Sequence, residues 1–474
     1  MPSRGFVPVS PSLIDSLSAV AGTENVIVDE AGVETLSKDY YWYSPVLTKR
    51  LADRRASAAV KISSLNVLRE VVALAVAARV PMTVRGAATG NYGQCIPLYG
   101  GLVIDVGGMD RILAIEDGVV TAEPGARLVS IENAARPLGW ELRCYPSTWV
   151  KATIGGFLGG GSGGIGSISW GGLLEPGTVK RLTLLTVEDE PRTITLEEAD
   201  TRPAIHAYGT NGIIVEAQMR LAPAYPWDQM VIAGQQWDRV LDFAEEIARD
   251  DAVRKRLVTV LEDPLPSYFR PIKKFYPPDH HLIFLEVESA SAAAVKARAL
   301  AAGLTVSHTI PHHEPRRSPM LSDYTWNHTT LWAIKADPSY TYVQAGFGPN
   351  VREQIRELQA RFPAEILFHL EFTKNRPAPG AAPVVGCGGI PVIKFTTEER
   401  LAEIIRTCRQ IGVGIADPHS CYVNEGWSGV DWSPHHRLKT KADPYGLLNP
   451  GKFSDYAADP FARGQADPRF LFTA

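Results

Sequence analysis

The stretch VPMTVRGAATGNYGQCIPLYGGLVIDV, residues 80–106, decides the fold of this chain. VPMTV and LVIDV are short apolar runs typical of buried strands, and RGAATGNYG interrupts them. A tight turn or a surface linker is the common explanation for one such loop, but the apolar flanks argue against a linker. Glycine lacks the Cβ that keeps backbone N–H groups away from a ligand. The stretch therefore predicts two strands joined by a loop whose backbone approaches another group.

A second glycine-rich segment, TIGGFLGGGSGGIGSISWGG at residues 153–172, shows the same feature at higher density. Successive exposed N–H groups form an anion-binding concavity, so the two segments predict a phosphate or pyrophosphate ligand. GxGxxG fits the second segment only because almost any glycine run would, and we expect SISWGG to continue as a loop without a helix. The chain contains no GxxxxGK[ST] sequence. Neither a dinucleotide-binding Rossmann unit nor a P-loop is therefore expected.

Composition narrows the functional class. The chain has 474 residues, too many for one ordinary core, and its 45% hydrophobic and 21% charged residues are those of a globular protein. A net charge of −4 provides no basic field for nucleic acid or for an anionic membrane. Since no apolar run reaches about 18 residues, no membrane span is expected.

The cysteines and the N-terminal segment bear on location. Five scattered cysteines without a CxxC pair are typical of a reducing compartment and predict no structural zinc site. The segment MPSRGFVPVSPSLIDSL lacks the apolar core of a secretory signal. We therefore expect a cytoplasmic protein without a bound metal.

The order of helix and strand patterns predicts an α+β fold. One helical pattern, LNVLREVVALAVAA, precedes several closely spaced short strands in the first 225 residues. PAYPW, at 223–227, is typical of a domain boundary. Helical patterns then alternate with single strands up to about residue 410, which predicts an antiparallel sheet covered on one face.

Four motifs in this order resemble the FAD-linked oxidase superfamily, the flavoproteins with a PCMH-type FAD-binding domain. They are PMTVRGAATG at 81–90, TIGG at 153–156, GTNGIIVEA at 209–217 and DPYGLLNPGK at 443–452. The resemblance implies a PCMH-type domain over residues 1–225 and a cap, or substrate, domain over 226–410. Residues 411–474 would return to the FAD domain.

The resemblance also implies how FAD is held. Loop 85–90 would bind the pyrophosphate through its amides, segments 146–148 and 153–166 would line the flavin ring and ribityl chain, and 212–215 would contact the adenine. The cofactor residues implied in this way are Arg85, Gly86, Ala87, Ala88, Thr89, Gly90, Pro146, Ser147, Thr148, Thr153, Gly155, Gly156, Gly160, Gly161, Gly163, Gly166, Gly212, Ile213, Ile214, Asn449 and Lys452.

One departure from the family concerns the covalent flavin bond. Many relatives carry a histidine at the position of Thr89, and that histidine is bonded to the flavin. Threonine cannot form this bond, so we expect FAD to be held noncovalently at this position. A covalent link from the cap or tail stays open, with these tail candidates: His419, Tyr422, His435 and His436.

A second departure lies in the cap. Metal-dependent D-2-hydroxy-acid dehydrogenases carry an HxGDGN-like motif there, and FHLEFTKN at 368–375 keeps only His369 and Glu371. This difference disfavours that subgroup. Bound zinc, together with loss of activity on adding a chelator, would favour that subgroup again.

Alcohol oxidation by a flavin requires a base for the hydroxyl proton, so basic groups on strands of the cap are candidates for this role. In ILFHLEF, alternation places His369 and Glu371 on one face, with a solvated outer face as the alternative. In TWNHTTLWAIK, His328 lies among aromatics, and Lys335 shares one face with Leu331 in the same alternation. The alternative to catalytic roles is that His328 is a hydrogen-bonded histidine of the core and Lys335 a lysine of the surface.

The tail supplies two further candidates. IADPHSCYVNEGW contains His419 and Tyr422, and the resemblance implies a polar residue near the flavin in this region. The candidate catalytic residues are therefore His419, Tyr422, His369, His328 and Lys335.

These observations predict an FAD-dependent oxidoreductase that oxidises a small alcohol or hydroxy acid by hydride transfer to flavin N5. A phenol side-chain oxidase of the vanillyl-alcohol type stays open as an alternative. So does a noncatalytic nucleotide-binding protein. The electron acceptor would be oxygen or a redox partner, and a homodimer is the default expectation.

Overall fold

The structure, a computed structural model, describes residues 6–313, 320–376, 380–425, 430–456 and 459–461. Ten strands precede residue 225, and they are β1 (Val26–Ile27), β2 (Ala58–Lys61), β3 (Met82–Arg85), β4 (Leu102–Asp105), β5 (Ile112–Glu116), β6 (Val119–Ala122), β7 (Trp140–Leu142), β8 (Val179–Leu185), β9 (Thr193–Glu197) and β10 (Ile213–Pro223). They form a four-stranded sheet in the order β1-β2-β4-β3 and a second sheet in the order β5-β6-β10-β8-β9, with β7 paired to β10.

The helices of this half are α1 (Pro11–Ala21), α2 (Glu30–Leu36), α3 (Pro45–Leu51), α4 (Leu65–Ala77), α5 (Leu128–Ala135), α6 (Ile154–Gly160) and α7 (Ser167–Trp170). Helix α4 begins after Ser64, whose hydroxyl accepts the N–H of Val67. Its apolar face, which includes Leu68 and Val72, packs with Met82 of β3 in one core. The helix and the two strands flanking RGAATGNYG are thus confirmed.

Strands β3 and β4 are parallel, in register from Met82 opposite Leu102 to Arg85 opposite Asp105. The glycine-rich loop therefore leaves the carboxyl end of β3, at the edge where loops of parallel sheets bind ligands.

The second glycine-rich segment was expected to remain a loop, and that expectation is wrong. IGGFLGG forms α6, with Thr153 as its N-cap, and SISW forms the short helix α7. Glycine disfavours helix in isolation. Here Ile154, Phe157 and Leu158 are buried in the core and hold the turn in place.

The second half contains the strands β11 (Trp227–Gly234), β12 (Lys255–Leu261), β13 (His281–Glu288), β14 (Thr305–Ile310), β15 (Tyr340–Tyr342), β16 (Gln344–Gly346), β17 (Ile366–Leu367), β18 (His369–Asn375), β19 (Val384–Gly389), β20 (Val392–Lys394) and β21 (Gly414–Ala416). Eight of them form an antiparallel sheet in the order β14-β11-β13-β12-β18-β19-β16-β21. A small sheet has the order β15-β20-β17.

The remaining helices are α8 (Trp237–Arg249), α9 (Ser289–Ala301), α10 (Asn327–Ala336), α11 (Val351–Arg361), α12 (Glu398–Gln410) and α13 (Ser433–Ala442). Helices α8, α9, α11 and α12 share one apolar core with the eight-stranded sheet. The α+β class and the antiparallel sheet covered by helices are thus confirmed.

The chain passes from the second sheet to the eight-stranded sheet between Pro223, where β10 ends, and Trp227, where β11 starts. The large sheet continues through β21 to Ala416, slightly beyond the expected limit of the cap at residue 410. The limits of the three domains stay predictions. Among the described residues, no helix has the length and apolar character needed to cross a membrane.

A buried ion cluster joins the two halves. Arg256 of β12 donates to Glu286 of β13 at 2.7 Å, and its guanidinium lies 3.7 Å from Glu141 of β7. The same guanidinium lies over the rings of Trp227 and Tyr145. Because Glu141 belongs to the first half and Arg256 to the second, the cluster fixes the cap against the two-sheet half.

Candidate functional site

A cavity of about 940 Å³ lies where the two halves meet. The two glycine-rich segments and the turn before β10 form one side of it. The other side consists of the start of α10 and parts of β16, β18, β19 and β21. Its volume is within the range of pockets that hold cofactors and substrates.

Residues 86–90 present five successive backbone N–H groups at this cavity. None of them donates to an acceptor in the described part of the chain. Ala88 has the left-handed conformation, with φ of 50°, which is found in anion-binding nests. The guanidinium of Arg85 points elsewhere and donates to the carbonyls of Leu36 and Lys38 at 2.6 and 3.2 Å. The loop therefore leaves its backbone amides without protein acceptors, as an anion-binding loop does.

The second glycine-rich segment packs directly on this loop. Thr153 caps α6 by accepting the N–H of Gly156 at 3.2 Å. A Cβ on Gly86 would lie 2.3 Å from the same hydroxyl oxygen, so glycine is required for the close approach. The hydroxyl of Thr148 donates to that of Thr89 at 3.2 Å. The two segments thus form one continuous wall.

The turn before β10 completes this side. The backbone N–H groups of His206 and Tyr208 donate to the carbonyls of Leu158 and Gly159 at 2.8 and 2.9 Å. The ring of His206 bonds to the carbonyl of Gly161 at 3.0 Å, and burial lowers its pKa. A neutral ring then donates Nδ1–H to that carbonyl. These bonds fix the end of α6 at the cavity wall.

All but three of the cofactor residues implied by the sequence line this cavity. Those that do are Arg85, Gly86, Ala87, Ala88, Thr89, Gly90, Pro146, Ser147, Thr148, Thr153, Gly155, Gly156, Gly160, Gly161, Gly163, Gly212, Ile213 and Ile214. Gly166 lies behind the wall, and its φ is 96°. A Cβ at this position would come within 2.0 Å of the Arg143 carbonyl oxygen, so only glycine fits there.

Asn449 and Lys452 support the first loop from beneath. The Asn449 amide donates to the carbonyls of Gln94 and Tyr208 at 2.9 and 2.6 Å. The Lys452 ammonium donates to the carbonyl of Gly93 at 2.6 Å, and burial lowers its pKa. The tail thus returns to the glycine-rich loop, but these two side chains hold its backbone and do not line the cavity.

His419 and Tyr422 do not reach the cavity wall that the described residues form. His419 is fully buried, and burial lowers its pKa to about 3, so the ring is neutral. Its Nε2 bonds to the carbonyl of Tyr342 at 2.9 Å and its Nδ1 to the hydroxyl of Ser44 at 2.8 Å. Tyr422 is buried in a separate apolar cluster. The geometry gives both residues structural positions.

The strand alternation assumed for TWNHTTLWAIK is wrong, because residues 327–336 form α10. Helical spacing buries Thr329, Thr330 and Ala333 together. The ring of His328 donates to the carbonyl of Asp323 at 3.1 Å, and burial lowers its pKa. Lys335 is exposed beside the ring of Trp332. Neither His328 nor Lys335 is among the described residues that line the cavity.

The polar face of β18 is buried. Phe368, Leu370 and Phe372 belong to the helix-covered core, as the alternation predicted. His369 and Glu371 occupy the other face at 0% and 2% exposure, and His369 Nε2 donates to Glu371 Oε1 at 2.8 Å. Glu371 lines the cavity and His369 does not. His369 therefore reaches the cavity only through Glu371.

Sequence reasoning missed the polar group opposite the glycine-rich wall. The hydroxyl of Tyr92 accepts a side-chain N–H of Gln344, and Tyr92, Gln344 and Asn327 all line the cavity. Tyr92 follows RGAATG by two positions, which was a usable signal. Asn327 and Gln344 carry no signal in the sequence, because only the packing of α10 and β16 brings them to Tyr92.

The wall fits FAD. Its open amides match the acceptor oxygens of a pyrophosphate. A Cβ on Gly159 would meet no atom closer than the Gly209 nitrogen at 4.0 Å, so the chain leaves free volume beside α6 for a ring or a ribityl chain. The wall therefore fits the predicted placement of the pyrophosphate at residues 86–90 and of the rest of FAD along α6.

Comparisons with known proteins agree with this fit. Residues 56–191 match the family model described as FAD binding domain. An FAD-linked oxidoreductase of Mycobacterium tuberculosis is 24% identical over 156 residues, 32% of each chain, so the match spans about a third of that relative. The glycolate oxidase subunit GlcD of Escherichia coli is 23% identical over 79% of each chain.

Solved structures share the whole fold. Alkyldihydroxyacetonephosphate synthase superposes with a TM-score of 0.69 at 15% identity, over 94% of this chain and 87% of that one. The 4-ethylphenol oxidase of Gulosibacter chungangensis superposes with a TM-score of 0.64 at 17% identity, over 94% of this chain and 97% of that one. At these identities the likeness concerns the fold. The matched FAD-binding domain and the amide-lined cavity identify FAD as the cofactor, and the chain as a whole has the fold of these solved structures.

Proposed function

We propose that this protein oxidises a small alcohol or hydroxy acid. When bound, FAD supplies the hydride acceptor, its N5 atom. The observation that carries the proposal is the continuity of one cavity from the pyrophosphate loop to the polar group of Tyr92, Asn327, Gln344 and Glu371. A substrate hydroxyl needs such donors and acceptors on the side facing the flavin.

The relatives support the same class of substrate. Curated proteins that match this chain include the glycolate oxidase subunit GlcD and a D-lactate dehydrogenase of Anaerostipes hadrus, the latter 25% identical over 46% of this chain. Both names refer to hydroxy acids. We extend that class of reaction, oxidation at CH–OH, to this chain.

The residues of the cavity have distinct tasks in this proposal. Tyr92, Asn327 and Gln344 orient the substrate through neutral hydrogen bonds. Glu371 is a buried carboxylate of the wall, and His369 positions it. Burial raises the pKa of Tyr92, so its hydroxyl keeps its proton at neutral pH and acts as a donor or acceptor of hydrogen bonds.

A phenol side-chain oxidase is the second candidate. The aromatic residues that line the cavity include Tyr92, Tyr208 and Trp326, which would pack against a phenol ring. In this case a 4-alkylphenol, not an aliphatic alcohol, would be the substrate.

Anaerobic flavin bleaching tests the proposal. We expect at least one aliphatic alcohol or hydroxy acid to reduce the bound flavin, seen as loss of its visible absorption. Reduction by 4-alkylphenols alone would select the second candidate, and no reduction by any compound would favour the noncatalytic alternative. Reoxidation of the reduced protein by oxygen, compared with quinone or cytochrome acceptors, then identifies the electron acceptor.

A further inference from the structure

We infer that Glu371 selects an uncharged substrate, binding its hydroxyl group and repelling substrates that carry a carboxylate. The inference rests on the proposed function and narrows it to neutral alcohols. It is based on the hydrogen bonds and charges around the Glu371 side chain. Glu371 lines the cavity, although it is only 2% exposed.

The carboxylate of Glu371 is held by three donors. Oε1 accepts the ring N–H of His369 at 2.8 Å and the backbone N–H of Trp326 at 2.9 Å. Oε2 accepts the hydroxyl of Thr259 at 2.7 Å. A carboxylate has about four acceptor positions, so one position on Oε2 is left for a donor from the cavity. A substrate hydroxyl is such a donor, whereas a carboxylate is not.

The neighbouring histidine does not neutralise this charge. His369 is fully buried, and its Nδ1 has no hydrogen-bond partner among the described residues. If the ring were protonated, the N–H at Nδ1 would belong to a buried cation and would have no hydrogen-bond acceptor, which is energetically costly. A neutral ring leaves only an unpaired acceptor and still donates Nε2–H to Glu371. The pair therefore carries one net negative charge.

The polar groups opposite the glycine-rich wall add no positive charge. Tyr92, Asn327 and Gln344 are uncharged side chains, and the Tyr92 hydroxyl accepts an N–H of the Gln344 amide. The indole nitrogen of Trp326 is a neutral donor without a partner among the described residues. A substrate placed at this end of the cavity thus meets one charge, and it is negative.

Four cations line other parts of the cavity in the described ranges. Arg85 is bonded to backbone carbonyls, Arg376 pairs with Glu175 at 2.6 Å, and Arg202 is exposed on the side of the first half. Lys374 follows Glu371 by three positions on β18, so the two side chains point to opposite faces of the sheet. Lys374 also borders a separate small pocket beside Lys255. None of these cations forms an ion pair with Glu371.

Isosteric pairs of compounds test the inference. Ethylene glycol and glycolate, (R)-1,2-propanediol and D-lactate, and 1-phenyl-1,2-ethanediol and D-mandelate each differ only by CH₂OH against carboxylate. We expect the neutral member to reduce the flavin of the holoprotein at least about tenfold faster at saturating or equal concentrations, because like charges repel at short distance. Equal or faster reduction by the acids would overturn the inference and leave the proposed function intact.

A binding measurement decides the same question without turnover. Benzamide and benzoate are matched in shape and carry no oxidisable CH–OH group, and their binding is read from the flavin difference spectrum. We expect benzamide to bind at least about tenfold more tightly in the parent, and Glu371→Gln to bring the two affinities close together. Thr259→Val, which removes one donor but keeps the charge, should retain the preference. If benzoate binds the parent as tightly as benzamide, the inference is wrong, whether or not Glu371→Gln folds.

The failure of each claim has its own signature. Loss of the proposed function appears as no flavin reduction by any aliphatic alcohol or hydroxy acid, these six compounds included, while the benzamide preference still reports on Glu371. Loss of the inference appears as reduction by the acids, or as binding of benzoate without discrimination. Neither reduction nor binding of any probe would overturn both claims.

Discussion

Gly159→Leu is expected to abolish retention of FAD while the chain stays folded. The Cβ position of Gly159 has no protein neighbour closer than 4.0 Å, so a side chain there projects into the cavity without disturbing the core. It would occupy volume that we assign to the cofactor. We expect FAD affinity to fall by roughly 100-fold or more, measured by the flavin-to-protein absorbance ratio and by FAD titration.

Gly348→Leu is the matched control. Its Cβ would make ordinary contact with Gln354 at 3.4 Å, and it is not among the described residues that line the cavity. Both variants should show far-UV circular dichroism like that of the parent. If Gly159→Leu retains FAD as fully as Gly348→Leu does, the assignment of α6 to the cofactor wall is wrong.

Arg256→Met is expected to have the largest effect on stability. The Arg256 side chain is 4% exposed, and it pairs with Glu286 and Glu141, which are 0% and 1% exposed. Removing the guanidinium leaves two buried carboxylates without this positive partner. Breaking a buried pair in this way costs about 3–5 kcal/mol in the free energy of unfolding. Urea denaturation of the FAD-saturated protein measures the loss.

Arg254→Met tests whether burial is the cause. Arg254 lies two positions away and pairs with Glu288 at 3.1 Å, but its side chain is 45% exposed. Solvent screens such a pair, so we expect a loss of about 1 kcal/mol or less. Equal losses for the two variants would contradict the view that the buried cluster fixes the cap.

Local patterns in the sequence carried much of the architecture. Apolar runs around RGAATG placed β3 and β4 and the glycine-rich loop between them, because short apolar runs bounded by glycine are typical of buried strands. Alternation in ILFHLEF correctly separated the core-facing Phe368 from Glu371 on the polar face. These features depend on neighbours close in the chain, so the sequence alone suffices to predict them.

Features that depend on distant contacts were not predictable. The glycines of IGGFLGG disfavour helix, and only tertiary packing of Phe157 and its apolar neighbours makes α6. TWNHTTLWAIK fits both helical and strand spacing, and the choice depends on what covers it. His419 is chemically able to act as a base, but its burial between Ser44 and Tyr342 removes it from the cavity wall. No pattern within residues 415–427 reports that burial.

The absorption spectrum of the purified protein, before and after acid precipitation, tests the central claim most directly. We predict a two-band flavin spectrum whose colour passes to the supernatant, because the open amides of residues 86–90 hold FAD noncovalently and Thr89 cannot bond to it. Colour left in the pellet would contradict the noncovalent assignment. A colourless protein that takes up no added FAD would contradict the account of the cavity as a whole.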